Sequence, residues 1–206
     1  MSKYGYIGKD GPTQAIKSNA GVLTPKEHRD LIINDKLFVP GQLELIETQT
    51  ISSGSTLNFT NIKEHIYNVH FATANNVENS SANTSVSVRL SNDGGTSYEA
   101  GTSYQLTLEY ATHAGVNGEV KSTGTSYMEF LSDTANENRG GYIYFYNLGD
   151  STKYSLSTYH QEIESTMSFG NSAYKATEKM NAIQFLTTNG NAWTGTISLY
   201  GLRYYT

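Results

Sequence analysis

The chain contains no cysteine, which excludes a disulfide scaffold, a thiol nucleophile and any zinc or iron–sulfur centre built on thiolates. Charge is scarce as well, at 16% of residues, and no Lys/Arg cluster occurs anywhere in the sequence. Nucleic-acid binding draws on counter-ion release by several cations on one face, so that function class is excluded, and base stacking would lack its basic groove. No apolar run approaches the length of a membrane span, so membrane insertion is not expected. The opening Met1-Ser2-Lys3-Tyr4-Gly5-Tyr6-Ile7-Gly8 lacks the apolar centre of a secretory signal. The expectation is a soluble protein made in the cytosol and exported only as part of something larger.

What is present points to sheets. The 206 residues suffice for one substantial domain, which buries about 70% of its extended-chain surface. The chain has 19 Gly and 16 Tyr and is dense in Ser, Thr and Asn. Tyr and Thr suit pleated, half-buried surfaces, while Gly and Asn supply turn dihedrals. The net charge of −5 lies wholly in the later part: residues 1–50 hold six basic and six acidic side chains, and residues 51–206 hold eight and thirteen.

Residues 1–23 are interrupted by Gly5, Gly8, Gly11, Pro12 and Gly21 and read as an extended arm that docks on a partner through Tyr4, Tyr6, Ile7 and Val22. Thr24-Pro25-Lys26-Glu27 is a capping box with proline at the first helical position. The helix it opens spans 25–33, presents Leu31 and Ile32 to a neighbour, and is too short to stand alone.

From residue 42 the hydrophobic period becomes two. Leu43 and Leu45 alternate against Glu44 and Ile46, Tyr67, Val69 and Phe71 against Asn68 and His70, and Val86, Val88 and Leu90 against Ser87 and Arg89. Tyr104, Leu106, Leu108 and Tyr110 alternate against Gln105, Thr107 and Glu109. Further strands are expected at 56–62, 127–131, 141–146, 153–160, 180–187 and 194–201. Ile183 with Phe185, and Ile197 with Leu199, are taken as inward pairs. Asn92-Asp93-Gly94-Gly95 and Asn189-Gly190-Asn191 read as turns, and 74–84 and 111–126 as exposed loops. With no crossover helix between strands, the predicted fold is all-β: an antiparallel β-sandwich, jelly-roll-like, with an N-terminal extended arm and short helix. An immunoglobulin-like strand order is the alternative. The domains are 1–41, an attachment arm with its helix, and 42–206, the sandwich.

Candidate chemistry is thin. His65 and His70 are five apart, which in a strand puts them on opposite faces and argues against a shared metal; His70 reads as a surface or edge residue. His113 near Glu109 and Glu119, and Asn92 with Asp93 and Glu99, carry metal-type donors but are better explained as loop and turn groups. Glu162 and Glu164 would share a face if 161–167 were extended, yet their polar neighbours offer no dry pocket to hold one protonated. No nucleophile elbow, phosphate loop or dinucleotide fingerprint occurs. The expectation is a non-enzyme without metal or cofactor. The informative aromatic pattern is Gly141-Tyr142-Ile143-Tyr144-Phe145-Tyr146, which places Tyr142, Tyr144 and Tyr146 on the face opposite Ile143 and Phe145. That row suits a subunit contact or a glycan platform.

Three stretches carry a resemblance to a known class. Gly5-Tyr6-Ile7-Gly8 with Gly21-Val22-Leu23, the segment from Val88-Arg89-Leu90-Ser91-Asn92-Asp93 to Gly94-Gly95-Thr96-Ser97-Tyr98, and Asn181-Ala182-Ile183-Gln184-Phe185 with Gly195-Thr196-Ile197-Ser198-Leu199-Tyr200-Gly201 together resemble small virion proteins of tailed bacteriophages, of the tail, fibre-associated or capsid-decoration type. The resemblance implies a virion location, a β-sandwich body and an N-terminal attachment region, with other virion proteins as partners and no catalytic residues to carry over. It also implies copies of the chain as partners, with a homotrimer as the expected assembly. The alternative function is a carbohydrate-binding module that attaches the particle to a host-surface glycan.

Overall fold

A computed structural model describes residues 24–34, 43–132 and 137–202. The chain divides into two units, residues 1–40 and 41–206, each considered by itself. In the first, helix α1 (Pro25–Ile33) begins where the capping box was expected. The Glu27 amide donates to Thr24 Oγ1 at 3.2 Å, and the Thr24 amide donates to Glu27 Oε2 at 2.8 Å. These reciprocal bonds satisfy amides that a helix start leaves without partners. Leu31 is half-buried; the side chain of Ile32, like Tyr4, Tyr6, Ile7 and Val22, lies outside the described residues. Among the described residues no helix is long and apolar enough to cross a membrane.

The second unit is an antiparallel β-sandwich of the jelly-roll kind. Its strands are β1 (Leu43–Gly54), β2 (Thr56–Phe59), β3 (Val69–Asn79), β4 (Val86–Ser91), β5 (Tyr104–Thr112), β6 (Asn117–Thr125), β7 (Met128–Leu131), β8 (Arg139–Tyr146), β9 (Ser155–Ile163), β10 (Thr166–Tyr174), β11 (Ala182–Thr187) and β12 (Trp193–Leu202). One sheet has eight strands in the order β1-β12-β3-β8-β9-β10-β5-β6, and the other has four in the order β2-β11-β4-β7. The small sheet covers one face of the large one, and the core lies between them.

That core is built from the alternating positions. Val86, Val88 and Leu90 of β4, Ile183 and Phe185 of β11, and Ile197 and Leu199 of β12 are fully buried. Phe185 meets Phe59 edge-on at 5.9 Å and Phe130 at 5.8 Å, geometries that aromatic quadrupoles favour. Tyr104 packs against Tyr174 with ring centres 4.9 Å apart and planes tilted by 46°, and its hydroxyl accepts the Leu90 amide at 3.1 Å, which ties the sheets together across the core.

Several expected faces and loops differ. Residues 111–126, expected as a loop, contain β6, and 74–84 contain the end of β3. Strand β10 was not expected at all. Its inward positions are Ser168, Gly170 and Ser172, while Phe169 is exposed, so its apolar pattern is inverted. The cause is close packing: a Cβ on Gly170 would stand 2.5 Å from the Thr107 carbonyl oxygen and 2.7 Å from Leu108 Cβ, and the strand fits only with small residues inside. The alternation in β3 is also reversed around residue 70. His70, expected at the surface, is fully buried, with Nε2 2.8 Å from the Ile62 carbonyl, and Phe71 faces outward. Ala72 and Ala74 fill the inward positions next to it, leaving room for an imidazole. In β1 a register shift between Leu45 and Glu47 exposes Leu43 and Leu45 and turns Ile46 toward the core.

Candidate functional site: the open face of the large sheet

The strand registers define the uncovered face of the eight-stranded sheet residue by residue. One cross-strand row runs Leu45, Tyr200, Phe71, Tyr144, Thr158, Asn171, Thr107 and Lys121. The next runs Ser198, Thr73, Tyr142, His160, Phe169, Glu109 and Glu119. On the other side, Tyr146, Leu156, Ala173 and Gln105 are paired in the same way. The face therefore has two halves of different chemistry.

The first half, over β12, β3 and β8, is aromatic. Phe71 sits at its centre, 4.6 Å from Tyr144, 5.9 Å from Tyr142 and 6.0 Å from Tyr200, ring to ring. Tyr144 stacks on Tyr146 at 6.3 Å, and Tyr142 lies 5.7 Å from His160. Tyr142, Tyr144 and Tyr146 thus share one face as expected, with Ile143 and Phe145 buried behind them. Leu43 and Leu45 extend the patch at the sheet edge, exposed at 44% and 58%. Together these side chains form an apolar patch on the open face of the sheet.

The second half, over β9, β10, β5 and β6, is a trough of about 800 Å³. Its floor mixes the uncharged polar side chains of Thr158, Asn171, Thr107 and Gln105 with Ala173. Tyr146 and Leu156 stand at one end, and Lys121 with Thr123 at the other. Phe169 borders the adjoining depressions. The trough exists because the floor residues are short while the flanking Tyr146 and Phe169 are tall. Tyr146 is steadied by a 3.4 Å hydrogen bond between its hydroxyl and Thr158 Oγ1. Its one lining cation is engaged, Lys121 Nζ contacting Glu119 Oε1 at 2.5 Å, and beyond the lining Lys175 Nζ donates to the Thr123 carbonyl at 2.6 Å.

The other candidates are accounted for by local structure. Both Asp93 oxygens accept hydrogen bonds, from Ser91 Oγ at 2.7 Å, the Ser97 amide at 2.9 Å and Ser97 Oγ at 2.6 Å. The Ser97 and Ser91 bonds hold its carboxyl down to about 2, and Gly94 and Gly95 follow at φ of +76° and +86°. Asn92 turns away to Glu178 Oε2 at 2.6 Å. The extended segment that would have aligned Glu162 with Glu164 does not form, because β9 ends at Ile163 and β10 begins at Thr166. Among the described residues no three His, Asp or Glu side chains gather as a metal site would require.

One charged group stands out inside the sandwich. Glu129 of β7 is buried, and desolvation raises its pKa to about 7 against the opposing pull of a Ser85 hydrogen bond and the Arg139 charge. Arg139 is buried as well and donates to the Thr84 and Leu131 carbonyls, both at 3.2 Å. These groups brace the β7–β8 end of the sandwich, and the Glu129 amide donates to Ser172 Oγ at 3.3 Å.

The sequence singled out the tyrosine row but missed Phe71, Phe169 and the whole trough floor. The signal for Phe169 was its outward position opposite small residues; none existed for Asn171 or Thr107, which look like any polar strand residues. No protein-family profile and no curated protein matches the chain. Among solved structures, a double mutant of alginate lyase Aly36B in complex with alginate tetrasaccharide is similar over 82% of this chain and 80% of that one, at 11% identity and a TM-score of 0.31. A likeness that slight carries no argument about activity.

Proposed function

We propose that the protein is a non-enzymatic structural component of a bacteriophage virion, tail- or fibre-associated or decorating the capsid, anchored through residues 1–41 and contacting neighbouring subunits through the aromatic half of its open sheet face. The observation that carries this reading is the cluster of Phe71, Tyr142, Tyr144 and Tyr200 with Leu43 and Leu45 on a face that the small sheet does not cover. Protein interfaces enrich Tyr and Phe and deplete Lys and Glu, and no Lys or Glu stands among these clustered rings in the strand registers. The sequence resemblance to small tailed-phage proteins supplies the virion setting. Symmetric self-association is the commonest way such a patch is buried, and a homotrimer is the assembly proposed.

Attachment of the particle to a host-surface carbohydrate is the second reading, and the trough beside the tyrosines favours it. The two are compatible, since they use different halves of one face. The test is incorporation: a chain lacking residues 1–41 should be absent from purified particles that contain the full-length chain. Full-length protein missing from the particles, or truncated protein incorporated as well as the intact chain, would overturn the reading.

A further inference from the structure

We infer that the trough over β9, β10, β5 and β6 is a binding site for a neutral oligosaccharide. This deepens the host-attachment reading above and rests on it for its biological setting, but the chemistry is that of the isolated sandwich. The floor residues Asn171, Thr107, Thr158 and Gln105 are polar, and the first three are exposed at adjacent strand positions. Covering them with an apolar protein surface would leave amides and hydroxyls without partners, a costly outcome. A ligand bearing many hydroxyls satisfies them instead, each amide offering both a donor and an acceptor.

The flank supplies the second half of such recognition. Tyr146 presents an aromatic ring held in place by Thr158 and stacked on Tyr144, so the C–H face of a sugar ring meets a preordered platform at low entropic cost. Five strands from β8 to β6 span about 19 Å at the usual strand spacing, room for a short run of sugar rings laid across them.

Charge selects among saccharides. The one cation lining the trough, Lys121, is paired with Glu119, Lys175 is tied to the Thr123 carbonyl, and Glu109 lies opposite Glu119 on the adjoining row. Two cations thus stand against two carboxylates, so the surroundings offer no concentrated positive charge to draw a polyanion, and the site suits uncharged sugars.

The test uses the full-length chain with hexameric cello-, malto-, manno- and chito-oligosaccharides, and with an alginate hexamer as the polyanion, by titration calorimetry. At least one neutral series should bind saturably and the alginate should not. Asn171→Ala and Tyr146→Ala should each weaken that binding at least tenfold with melting temperature unchanged, Asn171→Ala should leave sedimentation unchanged as well, and Gln184→Ala on the opposite sheet should leave the binding intact. Failure of every neutral series, preference for alginate, or binding indifferent to both trough variants would overturn the inference. A self-associated state dissolved by Asn171→Arg, with no sugar bound by the unmodified chain, would assign the trough to a second copy and also overturn it. None of these outcomes depends on particle incorporation, so this site and the virion reading stand or fall separately.

Discussion

Two buried ionisable residues give the sandwich opposite pH responses. Glu129 has its pKa raised by desolvation to about 7 from an ordinary 4.5, so the folded state binds its proton more tightly than the unfolded chain does. Its contribution is fully present below pH 4.5 and is lost as pH rises through 7. At one pKa unit per 1.36 kcal/mol the effect is about 3 kcal/mol. Urea unfolding at pH 5 and pH 8 should show the loss in the unmodified protein and little of it in Glu129→Gln, which keeps the shape without the charge. His70 behaves in the reverse sense. Burial pulls its pKa below 6.5, outweighing the bond to the Ile62 carbonyl and the nearby Glu64 charge, so its contribution is present above pH 6.5 and is lost as pH falls through the lowered folded value. His70→Asn should therefore flatten the acid side of the same profile. Neither residue was identifiable as buried from sequence, because His70 sits next to Phe71 and the more apolar of the two faces outward.

At the scale of elements, the strands whose inward side chains are large and aliphatic were legible, and those that break the pattern for packing reasons were not. β4, β5, β11 and β12 follow the alternation because Val88, Leu108, Phe185 and Ile197 fill the space between sheets. The capping box legible in Thr24 and Glu27 likewise appears in α1. β10 was hidden because the gap behind it admits only Ser168, Gly170 and Ser172, and β6 because an edge strand with Gly118 and Gly124 has almost nothing to bury. The trough inherits both failures, since β10 and β6 form its floor and far wall. Gly170→Val tests the packing account: backbone of β5 blocks the added atoms, so β10 and β5 must separate, and the loss in thermal unfolding should be about 1–3 kcal/mol. Ser168→Ala, which adds no bulk, should change stability far less.

For the whole molecule, the small sheet of the sandwich covers one side of the large sheet, and function depends on what meets the other. The aromatic half is proposed to pack against copies of the chain. Sedimentation at micromolar concentration should then show a species near three times 22.6 kDa, and Tyr144→Glu, which puts a charge beside Phe71, should release folded monomers. A monomer in the unmodified protein contradicts self-association, and an undisturbed trimer in Tyr144→Glu contradicts the choice of face. Placement in the particle tests the central claim most directly. A reconstruction of virions containing this chain should show the sandwich on the particle surface, with Phe71, Tyr142 and Tyr200 against a neighbouring subunit and the trough over Asn171 open to solvent. A particle without the chain, or one in which the aromatic half faces solvent, would contradict it.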